Sequence, residues 1–461
     1  MKKNYYFVGI GGIGMSALAR HFHAIGCNVS GYDRTQTRLT DEIIADGISI
    51  AFDDDVNAIP APFRSKSDTL VVATPAIPAN NAILTYFRNE GFEVVKRSVV
   101  LGHLTDAADA VCVAGTHGKT TTSTLAAHIL RTSQVGCSAF LGGISVNYNT
   151  NYWSNTESSF VVTEADEYDR SFLTLHPHVA VITAMDADHL DIYGTKAEMQ
   201  KAFRQFASQI RSGGALLLKY GLPISDEIVS EDAEFFTYAR ENKETDFHAY
   251  RVKRVGNKYN FSVSSPLGDI ENLTLGLPGL HNVENAVAAV ASAQLCGATD
   301  DEIRDALASF RGNRRRFEYH IDTEKCVLID DYAHHPQEIA TTLNSVRDIY
   351  GKRTLTVAFQ PHLYTRTRDF ADDFAKVLAT ADRLLMLDIY PARELPIEGV
   401  TTQMLIDKIK KIRPDANVQL VQKEQLAQAI ADGNHELVLI MGAGNIDALV
   451  PEVEAKLKET L

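Results

Sequence analysis

Cysteine is scarce: five in 461 residues, at Cys27, Cys112, Cys137, Cys296 and Cys326. That odd, scattered set has neither the paired spacing of a zinc site nor an even disulfide framework, so a reducing, cytoplasmic compartment is expected. Long apolar runs are lacking too, none approaching the roughly 18 residues of a membrane span. The start, Met1-Lys2-Lys3-Asn4-Tyr5, has no cleavage site of small residues behind its short apolar stretch. Positive charge is in deficit, with 45 Lys and Arg against 59 Asp and Glu for a net −14. No basic stripe interleaved with aromatics is present to neutralise a phosphate backbone, which argues against nucleic acid as a partner. Low-complexity tracts and solenoid-type repeats are absent.

What is present is alternation. Strand-like runs alternate with amphipathic, helix-length segments through most of the chain, predicting α/β architecture with mainly parallel sheets. At roughly 150 residues per domain the length suggests about three domains. The first, 1–106, opens with a strand at 5–10 that feeds Gly9-x-Gly11-Gly12-x-Gly14 and a helical pattern at 15–25; a second strand, 28–32, ends at Asp33. Glycines there permit close approach of a pyrophosphate to a helix N-terminus, and the acid suits a ribose. The second domain, 107–312, holds buried-strand patterns at 160–163 and 179–184, shorter alternating stretches such as 259–263 that read as an antiparallel ribbon, and a helix at 283–296. The third, 313–461, carries strands at 326–329, 355–359, 383–387 and 437–441 separated by helices, and reads as another doubly wound, Rossmann-like domain.

The richest run is Gly115-Thr116-His117-Gly118-Lys119-Thr120-Thr121, directly after the apolar stretch 110–114. A glycine turn that presents a lysine and hydroxyls at a helix start is a triphosphate cradle: amides wrap the phosphates, the lysine neutralises them, and the first threonine can hold Mg²⁺. ATP or GTP is therefore the first ligand to consider, although Val113 stands where the full phosphate-loop pattern has its first glycine. Two acidic clusters follow strand patterns, Glu164-Ala165-Asp166-Glu167 and Asp186-Ala187-Asp188-His189, and a hard cation bridging phosphates needs oxygen ligands of that kind. Asn282 and Asn285 open a helix and could read an adenine edge or cap the helix. Arg314-Arg315-Arg316 at the second domain boundary suits a clamp that closes on phosphate. Asp330-Asp331-Tyr332-Ala333-His334-His335-Pro336 and Gln360-Pro361-His362-Leu363-Tyr364-Thr365-Arg366 each follow a strand and gather acids, imidazoles and cations.

In order, G-T-H-G-K-T-T, E-A-D-E-Y-D, D-A-D-H-L-D, P-G-L-H-N-V-E-N-A, R-R-R-F, D-D-Y-A-H-H-P and F-Q-P-H-L-Y-T-R-T resemble the Mur ligase family over nearly the whole chain. With the amino-terminal G-I-G-G-I-G-M-S, the likeness is greatest to the branch that joins L-alanine to UDP-N-acetylmuramate. The resemblance implies a UDP-sugar domain, a central ATPase domain, and a carboxy-terminal domain that helps bind the amino acid and closes over ATP. Gly11, Gly12 and Gly14 would face the UDP pyrophosphate, with Asp33, Thr74, Ala76 and Arg97 around the nucleotide sugar. Gly115, Thr116, His117, Gly118, Lys119, Thr120 and Thr121 would line ATP; Thr120, Glu164 and His189 would hold Mg²⁺; Asn285 would contact adenine. Arg316 and Asp330 would complete the ATP site, and Tyr332, His334, His362 and Arg366 would lie near the incoming amino acid, with His334 taking its ammonium proton.

Two departures from the family pattern stand out. Leu363 replaces an arginine found in many relatives, and Ala333 replaces a common glycine, a restriction only where the backbone needs positive φ. Lys196 and Lys201 lie in the region where later members of the family carry a carbamylated lysine, and no carbamylation is assigned to either. Three other readings remain open: a recycling ligase that adds a murein tripeptide to the same nucleotide sugar, a nicotinamide-dependent oxidoreductase suggested by the first glycine loop alone, and a non-catalytic nucleotide-binding regulator. The expected assembly is a monomer or weak homodimer.

Overall fold

A computed structural model describes residues 2–186, 190–351, 353–392 and 394–460. The chain forms two compact units, Met1–Gly276 with Leu280–Arg311, and Leu277–Gly279 with Gly312–Leu461.

The first unit begins with a five-stranded parallel sheet of β1 (Asn4–Val8), β2 (Asn28–Tyr32), β3 (Ser49–Ala51), β4 (Thr69–Ala73) and β5 (Glu93–Lys96), in the order β3-β2-β1-β4-β5. β1 is buried at all five positions, which is why its sequence runs apolar instead of alternating. The chain order reverses between β1 and β4, and ligands of such sheets gather outside the strand ends at that point. The glycine loop follows β1 and Thr74 follows β4, so both occupy it.

A ten-stranded sheet comes next: β6 (Asp109–Ala114), β7 (Ser138–Ser145), β8 (Thr150–Trp153), β9 (Phe160–Ala165), β10 (Val179–Ile182), β11 (Ala215–Lys219), β12 (Glu234–Ala239), β13 (Phe247–Val255), β14 (Lys258–Ser264) and β15 (Ile270–Leu275). Its order is β15-β14-β13-β12-β11-β10-β6-β9-β7-β8. Only the pairs β7–β8, β13–β14 and β14–β15 are antiparallel, so the expected ribbon is the far edge of a parallel sheet. β6 lies between β10 and β9. The phosphate-loop turn therefore opens between two strand ends that carry the acidic clusters.

One apolar core joins both sheets of this unit, from Phe22 and Leu101 to Phe140, Phe172, Phe203 and Phe206. Phe172 packs against Phe203 and Phe206 with ring centroids 5.1 and 5.2 Å away. Burying each such ring contributes about 1.5–3 kcal/mol.

The second unit is a six-stranded sheet, β16 (Glu318–Asp322), β17 (Val327–Asp331), β18 (Leu355–Phe359), β19 (Arg383–Met386), β20 (Asn417–Leu420) and β21 (Leu437–Met441), ordered β16-β17-β21-β18-β19-β20. All pairs are parallel except β16–β17. Separate apolar clusters cover its two faces, as in a doubly wound layer. The expected fold class is what forms: a Rossmann-like sheet, a mainly parallel phosphate-loop sheet with antiparallel parts, and a second doubly wound sheet. β16 and the β7–β8 pair lay outside the strands read from sequence: β16 alternates polar and apolar over only five residues, and Gly142 and Gly143 interrupt the apolar run of β7.

Candidate active site

The glycine loop after β1 is held from within. Gly9 has φ 91° and its N–H donates to the Tyr32 carbonyl at 2.7 Å. Asp33 accepts from the Gly11 N–H at 2.8 Å through one carboxylate oxygen and from the Thr35 N–H at 3.1 Å through the other. Helix Ile13–Ala24 begins at Gly12 with no side-chain cap, leaving its N-terminus facing the loop. A Cβ on Gly14 would stand 2.8 Å from an Arg97 guanidinium nitrogen, and one on Gly9 would stand 2.4 Å from the Thr74 methyl. Gly11, Gly14, Asp33, Thr74 and Arg97 thus crowd one strand-end crevice, with Gly12 exposed on the loop and the Ala76 N–H on the Thr74 hydroxyl at 3.4 Å.

The phosphate loop is built by two glycines with positive φ, Gly115 at 133° and Gly118 at 83°, which turn β6 into helix Lys119–Thr132. A Cβ on Gly115 would strike Thr183, whose hydroxyl donates to the Ala114 carbonyl at 3.1 Å and the His117 carbonyl at 2.5 Å. Thr116 accepts from the Asp186 N–H at 3.1 Å, and the His117 ring lies 3.7 Å from the Asp186 carboxylate. The segment that follows β10 therefore braces the loop, a role for Thr183 that no local sequence pattern announces.

Lys119 Nζ donates to the Gly115 carbonyl at 2.7 Å and pairs with the Glu167 carboxylate at 2.7 Å. Burial works against charge on Lys119, but Glu167, Glu164 and Asp166 outweigh it and hold the ammonium above its usual pKa. Glu167, with a side chain only 1% exposed, is shifted up by burial against the pull of Lys119. The next helical residue, Thr120, donates to Glu164 Oε2 at 2.7 Å. Gly142 of β7 makes room for that carboxylate: a Cβ there would lie 2.1 Å from Glu164 Oε2. Asn285 reaches the same loop, since a Cβ on Gly118 would be 2.7 Å from its Oδ1, while its Nδ2 donates to Asn282 at 3.1 Å. Thr121 occupies the first turn of the helix, and His189 lies outside the described residues.

In the second unit the strand ends of β17, β21 and β18 are adjacent. The Gly442 N–H donates to the Asp331 carbonyl at 3.2 Å, and the Gln360 N–H to the Met441 carbonyl at 3.1 Å. The paired aspartates divide by strand alternation. Asp331 accepts the N–H of Phe317 at 2.7 Å and of Ala333 at 2.8 Å and so latches two turns. Asp330 faces the other side, 3.7 Å from Arg315. Burial pushes the Asp330 carboxyl up to about 8 against the pull of Arg315, with Asp447 and Glu318 adding to the rise. Among the three arginines, Arg315 is the inward one, bonded to the Gly442 and Gly444 carbonyls and 3.3 Å from Asp447. Arg316 is exposed, with its guanidinium 6.0 Å from the Tyr332 ring centroid.

His334, His362 and Arg366 converge. The two imidazoles are 6.0 Å apart, and Arg366 lies 3.3 Å from His362 Nδ1. His334 Nδ1 is 3.0 Å from the Tyr332 carbonyl and 3.2 Å from Glu338; both are acceptors, so the proton sits on Nδ1 and Nε2 carries the lone pair. Burial lowers the His334 pKa against the pull of Glu338, and burial with His334 and Arg366 lowers His362 to about 4. Ala333 is not among the residues with positive φ, so glycine's absence there imposes nothing; Leu363 does have φ 70°. Glu338, Glu394 and Tyr390 were not singled out in the sequence. Glu338 also accepts the backbone N–H groups of His334 and His335, Glu394 accepts the Thr365 N–H at 2.9 Å, and Tyr390 stacks on His362 at 5.7 Å. Only Glu338's place three residues after His335, the N3 position of the helix that Pro336 opens, could have signalled the first of these.

Residues 4–108 match the Mur ligase family catalytic domain, 113–293 the Mur ligase middle domain, and 315–444 the Mur ligase glutamate ligase domain. A UDP-N-acetylmuramate–L-alanine ligase of Porphyromonas gingivalis is 51% identical over 458 residues, 99% of each chain. One of Flavobacterium johnsoniae is 45% identical over 461 residues, 100% of this chain and 99% of the relative. The crystal structure of the UDP-N-acetylmuramate-alanine ligase of Thermotoga maritima superposes with a TM-score of 0.84 at 27% identity, covering 99% of this chain and 100% of that one. A murein peptide ligase of Psychrobacter arcticus shares the fold, with a TM-score of 0.71 at 22% identity over 99% and 98% of the two chains.

Proposed function

The chain belongs to the Mur ligase family, and from that premise we propose that it joins L-alanine to the lactyl carboxylate of UDP-N-acetylmuramate at the expense of ATP. The phosphate loop carries the reaction type: Lys119 and the Thr120–Glu164 pair sit together where a triphosphate would meet the ends of β6 and β9. Full-length likeness to L-alanine ligases carries the choice of substrates.

A carboxylate is a poor acyl donor, so one oxygen of the lactyl group takes the γ-phosphoryl group, ADP leaves, and an acyl phosphate forms. The amine of L-alanine attacks the acyl carbon, and the tetrahedral intermediate expels inorganic phosphate as the amide forms. Lys119 exchanges Glu167 for the phosphates and spreads their charge. Thr120 and Glu164 offer hard oxygens 2.7 Å apart, a donor set that fits Mg²⁺, which would supply Lewis-acid neutralisation of the phosphoryl oxygens. The crevice of Gly11, Gly12, Gly14, Asp33, Thr74, Ala76 and Arg97 serves the nucleotide sugar, and Asn285 the adenine. His362, Arg366 and Tyr332 take the amino acid. His334 presents a neutral Nε2, the form needed to accept the ammonium proton before attack. The domains run 1–106, 107–312 and 313–461. Consumption of ATP and a nucleotide sugar suits a cytoplasmic enzyme, and no helix among the described residues is long and apolar enough to cross a membrane.

The test is phosphate release from ATP. It should require both UDP-N-acetylmuramate and L-alanine; release supported by L-alanyl-γ-D-glutamyl-meso-diaminopimelate in place of L-alanine would overturn the reading in favour of the recycling ligase.

A further inference from the structure

We propose that Glu318, His320 and Asp330 form a binding site for one divalent transition-metal ion of the zinc class, in the second unit. β16 and β17 are antiparallel, and Glu318 is the direct cross-strand partner of Asp330. The register slips between Tyr319 and Ile321, and such a bulge re-aims the residue it contains, here His320. One ligand atom from each of the three side chains lies within 4.8 Å of the others. Around a zinc ion with bonds of about 2.0–2.2 Å, tetrahedral ligand atoms stand about 3.3–3.6 Å apart, so modest side-chain rotation closes the set.

Two of the donors are buried without a hydrogen-bond partner, Asp330 Oδ1 and His320 Nε2. The Asp330 side chain is 3% exposed, and Arg315 faces its other oxygen at 3.7 Å, which leaves Oδ1 for an ion. His320 Nε2 is 3.8 Å from Glu318. Its Nδ1 is 3.6 Å from Glu454 of the helix Val450–Thr460, a small rotation short of the carboxylate–imidazole hydrogen bond that orients a metal-bound histidine and raises its basicity. Charge favours a cation, with Glu318, Asp330, Asp447 and Glu454 set against Arg315 and Lys458. An imidazole with two carboxylates suits zinc, cobalt or nickel more than the all-oxygen shell of magnesium or calcium. A bound ion would tie β16 and β17 to the carboxy-terminal helix through Glu454.

The experiment is a Co²⁺ titration of the full-length, chelator-treated protein in excess Mg²⁺ without nucleotide, read by visible d–d absorption and repeated with Zn²⁺ by equilibrium dialysis. The wild type should take up one equivalent with a rise in Tm. His320→Ala and Glu318→Gln should each weaken that uptake by more than about tenfold while keeping the wild-type circular dichroism. His362→Gln, which alters the other imidazole cluster, should retain it. No stoichiometric uptake by the wild type, uptake unchanged in His320→Ala and Glu318→Gln, or loss in His362→Gln instead would each overturn the proposal.

Discussion

Substituting Gly142 by alanine tests the phosphate-loop geometry without touching a polar group. Gly142 is a strand residue of β7 outside the positive-φ glycines, so its backbone accepts alanine. The added Cβ would stand 2.1 Å from Glu164 Oε2, 2.4 Å from its Cδ and 2.6 Å from Oε1, where ordinary contact begins at 3.4 Å. The carboxylate must therefore retreat by about 1.3 Å, which opens the 2.7 Å contact with Thr120. A displacement of about 1 Å at a reacting centre costs on the order of 10²-fold in rate. Holding Glu164 off its rotamer costs only about 1 kcal/mol, so the fold survives. Measured as phosphate release, kcat should fall about a hundredfold and half-saturation by Mg²⁺ should rise, with the KM for UDP-N-acetylmuramate unchanged because its loop follows β1. A kcat within about twofold of wild type, at an unchanged Mg²⁺ requirement, would refute the assignment of Glu164.

Lys119→Ala should abolish turnover while nucleotide-sugar affinity persists. Removing the ammonium that balances the buried Glu167 carboxylate should also cost about 3–5 kcal/mol in urea unfolding, and Lys119→Met with Glu167→Gln should restore stability without activity. Arg366→Ala should raise the KM for L-alanine more than it lowers kcat, and steady-state kinetics with varied L-alanine decide this. His128, buried with Nε2 3.0 Å from the Ala306 carbonyl and Nδ1 2.7 Å from the Tyr148 hydroxyl, has its pKa lowered to about 4 by burial. The unfolded chain protonates first, so a contribution of up to about 3 kcal/mol is present above pH 6.5 and lost as pH falls towards 4. Urea unfolding at pH 7.5 and pH 5 should show that difference shrink in His128→Gln; an unchanged pH slope would contradict it.

Much of this protein was legible in its chain because the informative features are local. Backbone turns that only glycine adopts easily mark Gly115 and Gly118, a lysine and a hydroxyl at a helix start mark Lys119 and Thr120, and apolar runs fix the strands that lead into them. Capping works the same way: Thr299 and Glu302 form the capping box that their spacing foretells.

Contacts between distant segments were not legible. Nothing near Thr183 announces that its hydroxyl braces the His117 turn, and nothing near Gly142 announces the Glu164 carboxylate. The division of labour within repeated residues was equally hidden. Which arginine of Arg314 to Arg316 turns inward, and which aspartate of Asp330 and Asp331 latches a turn, depends on the face of a strand each occupies and on the loops that strand order brings beside it. The sequence by itself determined the α/β class, the nucleotide chemistry and the segments that perform it, since each rests on propensity, periodicity and spacing within a few residues. Only the tertiary structure decided the partners of each charge, because pairing, burial and the resulting pKa shifts arise where segments far apart in the chain share one low-dielectric space.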